Sequence, residues 1–196
     1  ISLRDCHLAT RLKGQELELA PLSFPWHNRE DDGKIMSIVL EVPESVLEEL
    51  RQKALSEEKS LEEISLEALL AHAGLEDPEA RAEIHLFLSG KYLREAKELV
   101  MKEDWVQASE KSWGAASQMV KAVAAKRGRG LRSHRELNEY LDELCEERKD
   151  PELDRLWSRA IALHQNFYES WLPPRSVKRG IEDVDKFSQK LSGILR

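Results

Sequence analysis

The stretch from Asp150 to Trp171 constrains this chain most, because both its ends and its buried side are written in residue types. Asp150 is a good N-cap, Pro151 suits the first helical position, and Pro173 with Pro174 forbids continuation past Leu172. Between them Leu153, Trp157, Ala160, His164, Phe167 and Trp171 recur at alternating steps of four and three. That spacing predicts one helix with a buried seam of the kind that bundles use. His164 is the ionisable residue in this apolar stripe. Arg159 is a second anomaly: Arg155, Leu156, Ala162 and Leu163, its neighbours one turn away, include no acid, so its partner lies elsewhere.

Similar start and stop signals recur upstream. Asp77 and Pro78 open a helix to about Glu103 with Ile84, Leu88, Tyr92, Ala96 and Leu99 on one face. Asp104 opens the next, with the seam Val106, Ser109, Trp113, Ala116, Val120 and Val123, which stops at Gly128. Ser133 and Glu136 form a capping box before Leu137, Tyr140, Leu141 and Leu144, and a last helix after Pro174 carries Val177, Ile181, Val184, Phe187 and Leu191. Helices joined by short turns predict a mainly α fold, an antiparallel bundle of four to five helices over residues 76–196.

Ahead of it, residues 36–75 read as strand, helix, helix. Met36 to Val42 alternates, with Ile38, Leu40 and Val42 on one face and Ser37, Val39 and Glu41 on the other. Pro43 introduces a helix with Val46, Leu47, Leu50 and Ala54 inward, and Ser60 with Glu63 caps another that ends at Gly74. This order resembles the ribbon-helix-helix fold. In DNA-binding members the outward ribbon side chains are donors that enter the major groove; Val39 and Glu41 are not, so the segment reads as a dimerisation element rather than an operator reader. A strand of this length needs a second copy to pair with. Residues 1–35 contain Pro21, Pro25 and a polar run, without periodicity, and read as a poorly structured leader. Met36 is the expected functional start; the competing reading packs an arm onto the domain through Leu22, Phe24 and Trp26.

The net charge of -7 is concentrated: residues 36–75 hold 9 acidic against 3 basic residues, while residues 76–196 hold 22 of each. An acidic front segment does not coat nucleic acid. No apolar run spans a bilayer and no signal peptide opens the chain, so the cytoplasm is the expected compartment. Cys6 and Cys145 stand far apart without a metal-binding pattern, and no P-loop or dinucleotide fingerprint occurs. Neither a metal nor a cofactor is expected. Acidic pairs such as Glu62 and Glu63 read as solvated faces.

Three groups of residues carry candidate chemistry. A histidine exchanges protons near neutrality and an arginine fork holds a phosphate, so Arg159 and His164 together supply what metal-free RNA cleavage needs. Five residues on a helix set them about 140° apart, so they meet only if Arg159 curls round or two subunits share a cleft. The plainer alternative is a core histidine, with Arg159 paired to a carboxylate such as Glu110. The basic arc of Lys121, Lys126, Arg127, Arg129, Arg132, His134 and Arg135 offers phosphate contacts, with Lys126, Arg127, Arg129, Arg132 and Arg135 as RNA-binding candidates, or merely complements a helix C-terminus. Arg175, Lys178 and Arg179 could extend it. Trp105, Trp113, Trp157, Phe167, Tyr168 and Trp171 read as core rather than as a stacking platform, with Tyr168, one turn after His164, as the exception.

Arg159 and His164 match the R-x4-H pattern of the HEPN superfamily of helical domains, which includes metal-independent ribonucleases. From about Leu75 to Leu195 the chain also resembles the archaeal PaREP family, associated with that superfamily. Lys91, Tyr92, Glu95 and Ala96 carry the likeness, with the run Gln107 to Lys111, then Trp113, Ala115 and Ala116, and finally Leu163, His164, Asn166 to Glu169 and Trp171 to Pro174. The resemblance implies a HEPN-like four-helix core, a homodimer whose paired motifs line one cleft, RNA as ligand, and Arg159 and His164 as catalytic candidates. Glu110, Lys111 and Tyr168 are the secondary cleft candidates. The chain departs from the ribonuclease pattern at Ala160, where a polar residue commonly follows the arginine, and at Asn166, where toxins of this superfamily often carry tyrosine. A noncatalytic protein that binds a partner protein or a nucleotide is the alternative, followed by a DNA-binding regulator.

Overall fold

The computed structural model of the chain describes residues 39–75 and 77–195, which belong to one compact unit spanning residues 36–196. All regular structure among them is helical: α1 Glu44–Ser56, α2 Leu61–Ala73, α3 Pro78–Met101, α4 Trp105–Lys126, α5 His134–Arg148, α6 Pro151–Glu169 and α7 Pro174–Ser192. The expected caps form. Asp77 accepts from the Ala80 N–H at 2.9 Å, Asp104 from Gln107 at 3.1 Å and Asp150 from Glu152 at 3.0 Å. Ser60 and Ser133 do the same for the N–H groups of Glu63 and Glu136. Each bond satisfies an amide that the helix leaves without a partner. Gly74 ends α2 at φ 70, a left-handed conformation that costs a glycine little.

The two capping boxes are only half built. Glu136 turns back to accept from the Arg132 N–H at 2.6 Å, one residue beyond the cap. Glu63 does not return to Ser60 at all; it is buried and faces α4.

Helix α4 is the axis of the bundle, packed against α3, α5, α6 and α7. Residues 115–125 are buried without interruption. Alanines and valines dominate that run, and their small side chains let several helices approach one central helix. Close approach also explains Gly180, where a methyl group would stand 2.9 Å from Leu163 Cδ2. The three-residue turn between the long helices α3 and α4 makes them antiparallel. The apolar stripes read for α5 and α7 are buried as expected.

The α6 stripe differs. Leu153, Trp157 and Ala160 are buried, but further on the buried positions are Leu163 and Asn166, while His164 and Phe167 stand at the edge. Alternating steps of four and three average 3.5 residues, and a straight helix drifts from that repeat by about 20° per heptad. The helix ends at Glu169 with Ser170 left-handed at φ 49, which places Trp171 outside the seam and 53% exposed. Asn166 closes this end: its Nδ2 donates to Ser109 Oγ at 2.9 Å and its Oδ1 accepts from the Leu172 N–H at 2.6 Å.

Val39 to Val42 carry no regular structure in the single chain, and Val39 and Leu40 are 88% and 70% exposed. The remainder of the expected strand, Met36 to Ile38, and the whole leader, residues 1–35, lie outside the described residues. Helix α1 packs on α2, and α2 on α3.

Candidate functional site

Helices α4 and α6 run alongside one another and bring Glu110 and Trp113 to His164. The His164 ring stacks on Trp113 at 4.8 Å between centroids and 24° between planes. Its Nδ1 is 3.0 Å from Glu110 Oε2. A carboxylate accepts and does not donate, so this contact puts the ring hydrogen on Nδ1 and leaves the Nε2 lone pair available. Tyr168, 71% exposed, meets the imidazole edge-on at 5.2 Å. The side chain of His164 is 21% exposed. It is neither a sealed core histidine nor a free surface one.

A second histidine completes the group. His134, in the first turn of α5, lies 5.0 Å from His164 and 5.4 Å from Trp113 between ring centroids. Glu58, in the turn between α1 and α2, accepts the His134 backbone N–H at 3.0 Å and stands 3.0 Å from its Nδ1. Burial pushes the His134 imidazole below the usual histidine range, and His164 and Lys121 push the same way, against the attraction of Glu58 and Glu110. The sequence reading counted His134 only among basic residues. Nothing local marks it as a neighbour of His164.

Arg159 does not join this group. Its Nε lies 3.8 Å from Asp183 Oδ2 on α7, and its side chain is 61% exposed. The angle of about 140° expected from the spacing explains the separation. The carboxylate proposed for Arg159, Glu110, is the one that holds His164. Lys111 also turns away, with its Nζ 2.5 Å from Glu95 Oε2 and 4.8 Å above the Tyr92 ring. Of the five residues singled out for catalysis or the cleft, the fold gathers His164, Glu110 and Tyr168.

The basic arc is largely neutralised. Arg127 makes two hydrogen bonds to Glu147, at 2.7 and 3.1 Å, and Arg135 one to Glu139 at 2.7 Å. Arg129 pairs with Glu143 and Lys126 with Glu79. The Arg132 side chain has no ion pair among the described residues. Lys121 is not on this surface at all, being 5% exposed.

Lys121 instead serves a buried network that the sequence reading missed. Its Nζ donates to Glu63 Oε1 at 2.7 Å, Gln118 Nε2 donates to Glu63 Oε2 at 2.5 Å, and Gln118 Oε1 faces His85 Nδ1 at 2.7 Å. Glu63 is therefore no solvated face. Because its partners sit on helices far along the chain, no local pattern separates it from exposed Glu62. The ligating atoms of Glu63, Glu67 and His85 lie within 4.8 Å of one another, the spacing a metal ion would need. Lys121 and Lys59 already supply the compensating positive charge to the two carboxylates.

Trp113 and Trp157 are core, as read, 5.0 Å apart between centroids, with the Trp157 Nε1–H donated to Asn138 at 2.7 Å. Trp105 lies under Lys178 at 5.3 Å. Among the described residues no helix is long and apolar enough to cross a membrane.

No curated protein and no solved structure matches the chain. The sequence profile of the archaeal PaREP1/PaREP8 family matches residues 84–188, more than half of the chain, a span that includes His134, His164 and Glu110. On that match this helical protein belongs to the archaeal PaREP1/PaREP8 family.

Proposed function

We propose that the protein is a HEPN-like ribonuclease that binds RNA against the α4 and α6 face and cleaves it without a metal ion, with His164 moving the proton. The observation that carries this reading is the pair His164 and Glu110. A carboxylate on Nδ1 orients the imidazole and leaves Nε2 to face the substrate. Exposed Tyr168 beside it offers a face on which a base can stack. Arg159 cannot be given the phosphate within one chain on this geometry. It contributes only across a dimer, the association read from residues 36–75 and from the superfamily.

Cleavage of pooled cellular RNA in excess EDTA, by the wild type and by His164→Ala, tests the reading. Loss of cleavage in a variant of unchanged helix content supports it. An inactive wild type across pH and temperature sinks it. The second reading, a noncatalytic interaction protein, is favoured by one observation: four of the five basic candidates are already paired to carboxylates.

A further inference from the structure

One histidine is half of what RNA transesterification requires. A base must take the proton of the 2'-hydroxyl while an acid protonates the departing 5'-oxygen. The fold places a second imidazole against the first, 5.0 Å away. Each has a glutamate oxygen 3.0 Å from Nδ1, each touches Trp113, and neither Nε2 has a partner among the described residues.

We infer that His134 is the second proton carrier of this site, the base to the acid His164, and that Glu58 positions it. The inference rests on the ribonuclease reading. Two imidazolium ions this close repel one another, which disfavours charging both rings at once. His134 is the neutral member. It is disfavoured as a cation by burial, by His164 from α6 and by Lys121 from α4, against Glu58 from the turn before α2 and Glu110 from α4. Its place in the first turn of α5 adds the positive end of a helix.

The step balances with these groups alone. Nε2 of neutral His134 accepts the 2'-hydroxyl proton and the 2'-oxygen bonds to phosphorus. The bond from phosphorus to the 5'-oxygen breaks, and the Nε2–H of His164 is given to that oxygen. The products are a 2',3'-cyclic phosphate and a 5'-hydroxyl, and the two imidazoles have exchanged charge, which proton exchange with water restores. Glu58 lies outside residues 84–188, so the segment before the family match would complete the site.

The test is the pH dependence of kcat/KM for the full chain, from about pH 5 to about pH 9, on a fluorophore and quencher labelled RNA of mixed sequence in excess EDTA. The wild type should give a bell. His134→Gln should lower kcat/KM by about 10²-fold to 10⁴-fold and remove the acid limb. Glu58→Gln, which keeps an acceptor for the α5 backbone, should shift the acid limb to lower pH, because the imidazolium loses its counter-charge. An unchanged bell at wild-type rate in His134→Gln overturns the role of His134 and leaves that of His164 standing. If His134→Gln fails to fold, an unmoved acid limb in Glu58→Gln overturns it equally. A wild type that cleaves nothing in this range overturns both.

Discussion

Glu63 of α2 and Lys121 of α4 form an ion pair of 2.7 Å with side chains only 2% and 6% exposed. Helix α2 packs on α3 rather than directly on α4. The pair, with Gln118, therefore reaches across from the acidic front segment into the centre of the bundle.

Breaking that pair from one side should be costly. Lys121→Met leaves a buried carboxylate without its counter-ion and should lower the unfolding free energy by about 3–5 kcal/mol. Adding Glu63→Leu should recover much of the loss, since neither charge is then stranded. Urea denaturation of the single and double variants checks this; a single variant as stable as the wild type would contradict the burial of Glu63.

His85 gives a pH dependence of defined sign. Burial depresses its pKa, against the hydrogen bond to Gln118. The unfolded chain then binds the proton more readily than the folded one, so stability rises with pH in this window. It should fall as pH drops below about 6.5, the ordinary histidine value, and level off below the depressed folded value. His134, depressed likewise, adds in the same direction. Thermal unfolding between about pH 7 and about pH 5 should show a shallower decline in His85→Asn than in the wild type; an equal slope would remove His85 from the account.

Gly180 is a packing requirement. An added methyl would stand 2.9 to 3.1 Å from three carbons of Leu163, a side chain 1% exposed. Gly180→Ala should therefore destabilise by about 1–3 kcal/mol, despite a helix propensity gain of about 1 kcal/mol. A higher urea midpoint in the variant would show that α6 and α7 yield more easily than the contact implies.

Glu110→Gln tests the contact that orients His164. On the ribonuclease reading the variant should lose about 10²-fold or more in rate with unchanged helix content, because an amide both donates and accepts and so no longer fixes the ring hydrogen on Nδ1. Full activity in Glu110→Gln would leave the His164 contact a packing detail.

How much of this was legible in the chain follows from distance along it. Asp77, Asp104, Ser133 and Asp150 act on amides two or three residues away, so their helix starts could be read directly. The same holds for the apolar stripes of α5 and α7, which depend only on the helical period. The α6 stripe was read well over its first half and less well over its second, since a repeat of 3.5 residues parts from a helix of 3.6 as it lengthens. The apolar seam and the resemblance together led to His164 and to Arg159, which the fold turns toward Asp183.

The sequence by itself determined where most of the described helices begin and which faces α5 and α7 bury, because capping and amphipathicity are local. Only the tertiary structure decided which charges meet. His164 and Glu110 are 54 residues apart, Lys121 and Glu63 are 58, and His134 and Glu58 are 76. A glutamate's environment depends on what the packed helices set opposite it: Glu62 and Glu63 are adjacent in the chain, yet Glu62 stays part-exposed beside Lys91 while Glu63 is sealed against α4.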